Sequence, residues 1–598
     1  MSVHNDKYSE NEPFFHDSYL LEWKDVKYSV NQKGKETIIL KGVSGYANSG
    51  EILAVMGTSG SGKTSLLSIL SNRLFSQPNV KVSGTVTLNQ NEIHTFHSNH
   101  YIKYVLQENF LFGTQTVRES LTFACRLKVP YLTKFQANER VNEILEYLKL
   151  TKVAENMIGN SMRKGLSGGE QKRVSIGNEL ISYPKVLILD EPTSGLDSYT
   201  SQHLIEVLQA QAHLGRTIIF TIHQPNSKMF SMFDRLILMS EGEFLFQGPT
   251  TEVVKYFSDI GYQCPHEINP PEYFMRVFHI KDRHDMTTIE IEILNICSNN
   301  YKETLEKFMI PHIEGLTEID INKKLHSASI ITELSVLFQR SILNVKRQPM
   351  FSVIKIGQAI VMSTLVALIF NNLGHDRKSI QSIAGALFFN SMDFITTPAQ
   401  AQVLTFPLER PVFLTEYKEE LYGIFPYFMT KVICEIPFQI IFTIIYSLIM
   451  YFAVPYNTHD ASKFFIFFGI SLLSQISGNA FGYLVGSLTS SIQLALVIAP
   501  ALMITSIIFG GFFSNTNSYS SAFYWIRYIS NYNFAYRALI VNQFTDFDFN
   551  NEDDNPINLL NFEGEVWENV GSLLLITFGM MLIAMINLKT SGEYHKRR

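Results

Sequence analysis

The chain has 598 residues, room for about four ordinary domains. A net charge of −6 argues against a basic nucleic-acid binder, and no nucleic acid is expected as a partner. A hydrophobic content of 46% excludes a disordered or collagen-like chain, and four cysteines with no CxxC pair exclude a disulfide scaffold or a zinc ribbon.

The first 20 residues read as a tail. They begin MSVHNDKYSENEP, polar and acidic, with no apolar core of a cleavable signal. Residues 21–280 carry the chemistry. GEILAVMGTSGSGKT at 50–64 sets a β-type apolar run before a glycine-rich turn and a helical pattern after it. This fits G-x-x-x-x-G-K-[ST] in its required context. Gly57, Thr58, Ser59, Gly60, Ser61 and Gly62 let backbone N–H groups curl around phosphate oxygens. Lys63 neutralises the β- and γ-phosphates, and the Thr64 hydroxyl is placed to ligate Mg²⁺.

GLSGGEQKRVSIG at 165–177 is a second anion-binding nest, a Ser-Gly-Gly turn (Ser167, Gly168, Gly169) followed by Glu170 at a helix start. KVLILDEP at 185–192 reads as a buried parallel strand ending in two acids. Asp190 is placed to hold Mg²⁺ through water. Glu191 is placed to deprotonate an attacking water.

Residues 281–330 read as a linker and 331–350 as an amphipathic connecting helix. Leu334, Leu337, Phe338, Ser341 and Val345 share one helical face, with Arg340, Lys346 and Arg347 expected near lipid headgroups.

Residues 351–598 are depleted in charge: 30 of 248 are charged, against 74 of the first 350. The depletion comes in runs, one of them 63 residues long between Lys463 and Arg527. A helix needs ~20 apolar residues to cross a bilayer. Six spans are predicted near 354–373, 380–401, 426–453, 464–486, 491–513 and 569–588, and Pro500 predicts a kink in the fifth. Residues 514–568 form an outer loop with eight acids and two arginines. The tail KTSGEYHKRR is basic and reads as cytoplasmic. Six spans then place both termini in the cytoplasm, in a plasma or internal membrane.

LSGGE before a strand ending in DE resembles the defining motif of ABC ATPases. The other family elements follow in order. Gln107 in YVLQENFLFGTQTVRESL resembles the Q-loop, and Ser194, Gly195, Leu196 and Asp197 resemble the D-loop. His223 in TIIFTIHQP resembles the switch histidine. An ATPase ahead of a membrane half resembles the G subfamily, the White-type half-transporters. NPPEYFMRV at 269–277, RSILNVKRQP at 340–349, GALFF at 385–389, ERPVF at 409–413 and EIP at 435–437 resemble its marks. The resemblance covers Leu21 to Asn587.

It implies an α/β P-loop ABC ATPase domain followed by an all-α domain of six transmembrane helices. It implies ATP and Mg²⁺, with Thr64, Gln107 and Asp190 at the metal and Glu191, His223 and Gln107 in catalysis. It also implies a second half-transporter subunit, because the LSGGE of one subunit covers the ATP of the other. A homodimer is favoured and a heterodimer stays open. The implied activity is export of a lipid, sterol or other amphipathic cargo. The alternative is a regulatory subunit or an ATP-gated channel.

By the same resemblance the second and fifth spans line a cavity, with Asp393, Thr396 and Thr397 on one side and Ile504 and Ile507 on the other. Phe512 and Phe513 would cap it. The segment 515–544 resembles a re-entrant outer element with interfacial aromatics Trp525, Tyr528, Tyr532 and Phe534. The loop after the second span, ERPVFLTEYKEELYG, would touch the ATPase. Two departures stand out. Val30 occupies the usual place of an adenine-stacking aromatic, with Tyr28 on the other strand face. Thr415 stands where the family usually has arginine.

Overall fold

The computed structural model describes residues 18–597 apart from 33–34, 75–78, 96, 160–163, 266, 278–315, 320–327, 348, 372, 375, 459, 490, 514–521, 548, 550–553 and 563. Most of the expected linker and part of the outer loop lie outside the described residues. The described residues up to Thr332, with those from Tyr594 onward, group in one compact unit and those of Glu333–Glu593 in another.

The first unit holds two sheets. Strands β1 (Leu20–Gln32), β2 (Lys35–Asn48), β4 (Val80–Leu88) and β5 (Asn91–Glu92) form an antiparallel sheet in the order β2-β1-β4-β5. The larger sheet has the order β10-β9-β3-β8-β7-β6, from β3 (Ile52–Gly57), β6 (Ile102–Val105), β7 (Val186–Leu189), β8 (Thr217–Thr221), β9 (Arg235–Ser240) and β10 (Glu243–Pro249). Its members are parallel except β10. Strands β3, β7 and β8 are buried along their whole length, which is why they read as unbroken apolar runs. Each fully buried Val, Leu or Ile contributes ~1.5–3 kcal/mol.

Helices α1 (Lys63–Leu70), α2 (Val117–Lys128), α3 (Lys134–Tyr147), α4 (Gly168–Leu180) and α5 (Ser198–His213) complete the ATPase core. Three short helices follow: α6 (Ser227–Phe230), α7 (Val253–Asp259) and α8 (Pro270–Val277). Residues 316–319, expected in the linker, belong to this unit. Ile319 is buried in the core between the sheets, and Asn89 Nδ2 donates to the Thr317 carbonyl at 2.8 Å.

The second unit is helical: α9 (Ile330–Arg347), α10 (Pro349–Ile369), α11 (Arg377–Lys418), α12 (Ile424–Ala453), α13 (Ala461–Leu488), α14 (Ile492–Ile508), α15 (Asn531–Phe544), α16 (Pro556–Leu559) and α17 (Val566–Arg597). Among the described residues, α12, α13 and Val566–Tyr594 are long and apolar enough to cross a membrane. Val353–Ile369 and α14 are shorter apolar helices. Pro500 lies inside α14.

Three expectations are corrected here. The segment ERPVFLTEYK is helix, because α11 continues through Pro407 and Pro411 to Lys418. On α9 the buried stripe is Glu333, Val336, Leu337 and Arg340, so the face is rotated and Phe338 points outward. Arg340 is buried rather than at headgroups: its Nη1 reaches both oxygens of Glu416, at 2.7 and 2.9 Å. The Tyr422 hydroxyl also bonds Glu416. Thirdly, Tyr532 is fully buried on α15, whereas Trp525 and Tyr528 are exposed.

Helices α11 and α13 meet along a stripe of glycines that sequence reading passed over. Gly478, Gly482 and Gly486 recur every four residues. A Cβ on Gly478 would lie 2.2 Å from the Ile395 carbonyl oxygen, and one on Gly482 would lie 2.5 Å from Gln402 Cβ. Small residues at this spacing let two helix backbones approach closely.

Candidate active site

The expected ATPase residues come from loops far apart in sequence that leave one edge of one sheet. Strands β3, β8, β7 and β6 are neighbours and parallel. Beyond their carboxyl ends lie, in that order, the glycine-rich loop, His223, Asp190–Glu191 and Gln107. Ligands of open α/β sheets bind at this end.

Gly60 and Gly62 adopt left-handed backbone, φ 81° and 97°. A Cβ on Gly62 would lie 2.8 Å from Leu40 Cδ2, so glycine is required on both counts. Lys63 is buried and its Nζ donates to the carbonyls of Gly57 and Thr58 at 2.8 and 2.7 Å. Burial pulls its pKa below the ordinary lysine value, with Glu191 and Asp190 opposing the shift. The Ser61 hydroxyl is buried without a hydrogen-bond partner among the described residues. A cradle of backbone N–H groups, a buried cation and an orphaned hydroxyl fit a polyphosphate.

Asp190 is held from three sides. Thr221 Oγ1 donates to its Oδ1 at 2.8 Å, Thr64 Oγ1 lies at 3.3 Å, and Tyr104 OH donates to Oδ2 at 3.1 Å. Burial, with Asp190 beside it, pushes the Tyr104 phenol above its usual range, so it stays a donor. Glu191 sits at φ 43°, a costly conformation for a non-glycine residue. Its N–H is anchored on Thr221 Oγ1 at 2.7 Å. Both its carboxylate oxygens are engaged: Gln107 Nε2 donates to Oε2 at 2.8 Å, and His223 Nε2 lies 2.5 Å from Oε1.

The LSGGE turn is built as a helix cap. Ser167 and Glu170 form a reciprocal capping box at the start of α4. A Cβ on Gly169 would lie 2.2 Å from Thr200 Cγ2. Gly195 is left-handed at φ 72°, and Asp197 caps α5 by accepting from Thr200 N at 2.9 Å. Lys172, one turn into α4, is buried and donates to the carbonyls of Leu106 and Gln107 at 2.8 and 2.9 Å. Burial lowers its pKa to about 8. Tyr104, Thr221 and Lys172 were missed in sequence: each lies in a strand or helix where its type reads as ordinary packing. Tyr28 is buried in the core between the sheets and Val30 packs against the same core, so the two share a strand face, as residues two apart do, and the expectation that Tyr28 lies on the other face is corrected.

The expected substrate residues make the following contacts within the membrane unit. Thr397 Oγ1 donates to Asp393 Oδ1 at 2.9 Å, and Thr396 shares a 2.8 Å hydrogen bond with Tyr532 OH. Ile504 is exposed, while Ile507 packs against the helical core. Phe512 stacks on Phe388 with centroids 4.5 Å apart, and Phe513 is exposed. Glu435, by contrast, is fully occupied, accepting from Gln402 Nε2 at 2.5 Å and Asn479 Nδ2 at 2.8 Å.

Comparison with known proteins agrees with this organisation. Residues 40–194 match the family described as ABC transporter, and residues 223–332 and 332–544 match families described as ABC-2 type transporter. The chain is 33% identical over 515 residues to "Protein white" of Drosophila melanogaster, covering 85% of this chain and 75% of that protein. It is 32% identical over 544 residues to "ABC transporter G family member 22" of Dictyostelium discoideum, covering 88% and 86%. It is 29% identical over 570 residues to "ABC transporter G family member 7" of Arabidopsis thaliana, covering 92% and 77%. With an ATP-hydrolysing domain in front and an ABC-2 membrane domain behind it, the chain belongs to the White-type G subfamily of ABC transporters.

Proposed function

We propose that the chain exports a hydrophobic or amphipathic small molecule, a lipid, sterol or xenobiotic, as one half of a dimer with both termini in the cytoplasm. The observation that supports this most is a complete ATPase set, Lys63, Asp190, Glu191 and His223, in a chain whose membrane helices are mainly apolar. Ser167, Gly168, Gly169 and Glu170 of one subunit would cover ATP held on Gly57–Thr64 of the other, with the D-loop residues Ser194–Asp197 beside them. Because both half-sites are complete, two copies of this chain suffice.

Glu191 is the base for the attacking water and His223 contacts the γ-phosphate. Gln107 now occupies the Glu191 carboxylate, so it must move away when water takes that place. It is thereby the residue that reports the state of the site. Thr64, Asp190 and Gln107 would hold Mg²⁺. One carboxylate suits this ion, which keeps waters and substrate phosphates as its other ligands. When bound it neutralises developing phosphate charge.

On the membrane side, Asp393 and Thr397 would face the cargo together with Ile504. Ile507 and Thr396, engaged elsewhere, would shape the wall behind them. Phe512 and Phe513 would act as the cap, with Phe388 as the ring against which Phe512 closes.

The test is ATPase activity of the purified chain in proteoliposomes, titrated with sterols, phospholipids and amphipathic drugs, with Glu191→Gln in parallel. Stimulation by one class, absent in the variant while ATP binding is retained, supports export by a homodimer. Turnover in Glu191→Gln equal to wild type overturns the assignment of the base.

A further inference from the structure

Between α9 and α12 lies a cavity of about 450 Å³. Its walls are Phe338, Ile342 and Val345 from one helix and Pro437 and Phe438 from the other. Cys434 completes the lining, and Lys346 is its single charged residue. Each helix contributes residues three and four apart, so two continuous faces oppose each other. The rotation of α9 creates this arrangement. Arg340 turns inward to Glu416, and Phe338 and Ile342 are left outward. Cys434 and Pro437 are small, which leaves a slot opposite Val345.

We propose that this slot binds an anionic phospholipid, one acyl chain lying along Phe338, Ile342 and Phe438 with its headgroup phosphate on Lys346. The volume falls within the ~300–1,000 Å³ of small-molecule sites. Lys346 is exposed, and among the described residues no carboxylate pairs with it. The neighbouring α12 presents Phe425, Ile433 and Ile441 outward, an apolar surface suited to lipid. The occupant is therefore apolar along its length and negative at one end. A sterol satisfies the first condition and not the second.

The experiment is lipid retention by the full chain. Wild type, Lys346→Glu and Val345→Trp are purified from vesicles of equal phosphatidylserine and phosphatidylcholine, delipidated in detergent, and bound lipid is measured by native mass spectrometry. ATP binding verifies folding, and dimer content is measured alongside. Wild type should retain phosphatidylserine about fivefold over phosphatidylcholine, the ratio that ~1 kcal/mol for one lysine at an anionic headgroup gives. Lys346→Glu should abolish the preference, and Val345→Trp should remove both lipids. Equal retention by wild type and Lys346→Glu, or no lipid on wild type, overturns the proposal. So does loss of the dimer in either variant with lipid unchanged, which would make a second copy of the chain the occupant.

Discussion

The Nζ atom of Lys172 lies 2.9 Å from the carbonyl oxygen of Gln107. Lys172 is on the helix that Ser167 caps, and Gln107 donates to Glu191. The element expected to serve the partner's ATP thus holds the loop that touches Glu191, the carboxylate proposed as this subunit's base. Hydrogen bonds to a charged group contribute ~1.5–3 kcal/mol each. We expect Lys172→Met to lower turnover about tenfold or more with ATP affinity within twofold. A double variant with Gln107→Ala should lose no more than Gln107→Ala alone, because the two residues act in series. Full additivity of the two losses, in liposome ATPase assays, would refute the linkage.

Thr221 accepts from the Glu191 N–H and donates to Asp190 with one hydroxyl. Removing it leaves a positive-φ residue without its anchor. Thr221→Val, nearly the same volume, should cut the rate about tenfold, and Thr221→Ser should restore it. A loss in Thr221→Ser with Thr221→Val at the wild-type rate would show that the methyl group, not the hydroxyl, matters.

Arg340 is a buried cation paired with the Glu416 carboxylate. Breaking such a pair leaves an uncompensated charge and costs ~3–5 kcal/mol. Thermal unfolding in detergent should fall markedly for Arg340→Ala. Arg340→Lys should give little rescue, since a point charge cannot repeat the guanidinium contacts to Glu416 and Tyr422. Arg340→Met combined with Glu416→Gln should be less harmful than either alone.

Cys125 is buried in the ATPase core, and burial pushes its thiol up to about 11. At pH 8 only about one thiol in a thousand is ionised, and only the thiolate is nucleophilic. Maleimide should therefore spare Cys125 in the folded chain and modify it after denaturation. Peptide mass spectrometry reads the outcome directly. Rapid native labelling would mean that the helices over it open.

The ATPase site was legible in sequence because its chemistry demands rare residue types in fixed order. Gly57–Thr64 and the LSGGE turn tolerate few alternatives, since φ above zero and a Cβ-free approach select glycine. Supporting residues carry no such signature: a tyrosine or threonine on a strand, as at Tyr104 and Thr221, usually means packing. The face of α9 was misread for a related reason. Its apolar residues occupy more than one side, so periodicity alone cannot choose, and Glu416, 76 residues away, decides. The loop expected after the second span contains Pro411 and follows Pro407, residues that disfavour a helix interior. Helix α11 passes through both, as membrane-domain helices can where packed neighbours satisfy the freed groups.

Substituting Gly482 tests the contact between α11 and α13. With a Cβ already within 2.5 Å of Gln402, Gly482→Leu should cost several kcal/mol and abolish folded protein in size-exclusion chromatography. Gly469→Leu, a position with open space around it, is the matched control and should be neutral.

The repeat in that stripe also limits how the two helices can move. A slide by part of a turn would take Gly478, Gly482 and Gly486 out of register with the parts of α11 they pack against. A slide of four residues, about 6 Å, replaces glycine with glycine. The pair therefore behaves as a detent: it travels as a single rod or jumps by a whole notch, and Glu435, held by Gln402 on one helix and Asn479 on the other, is the catch that a jump would have to release.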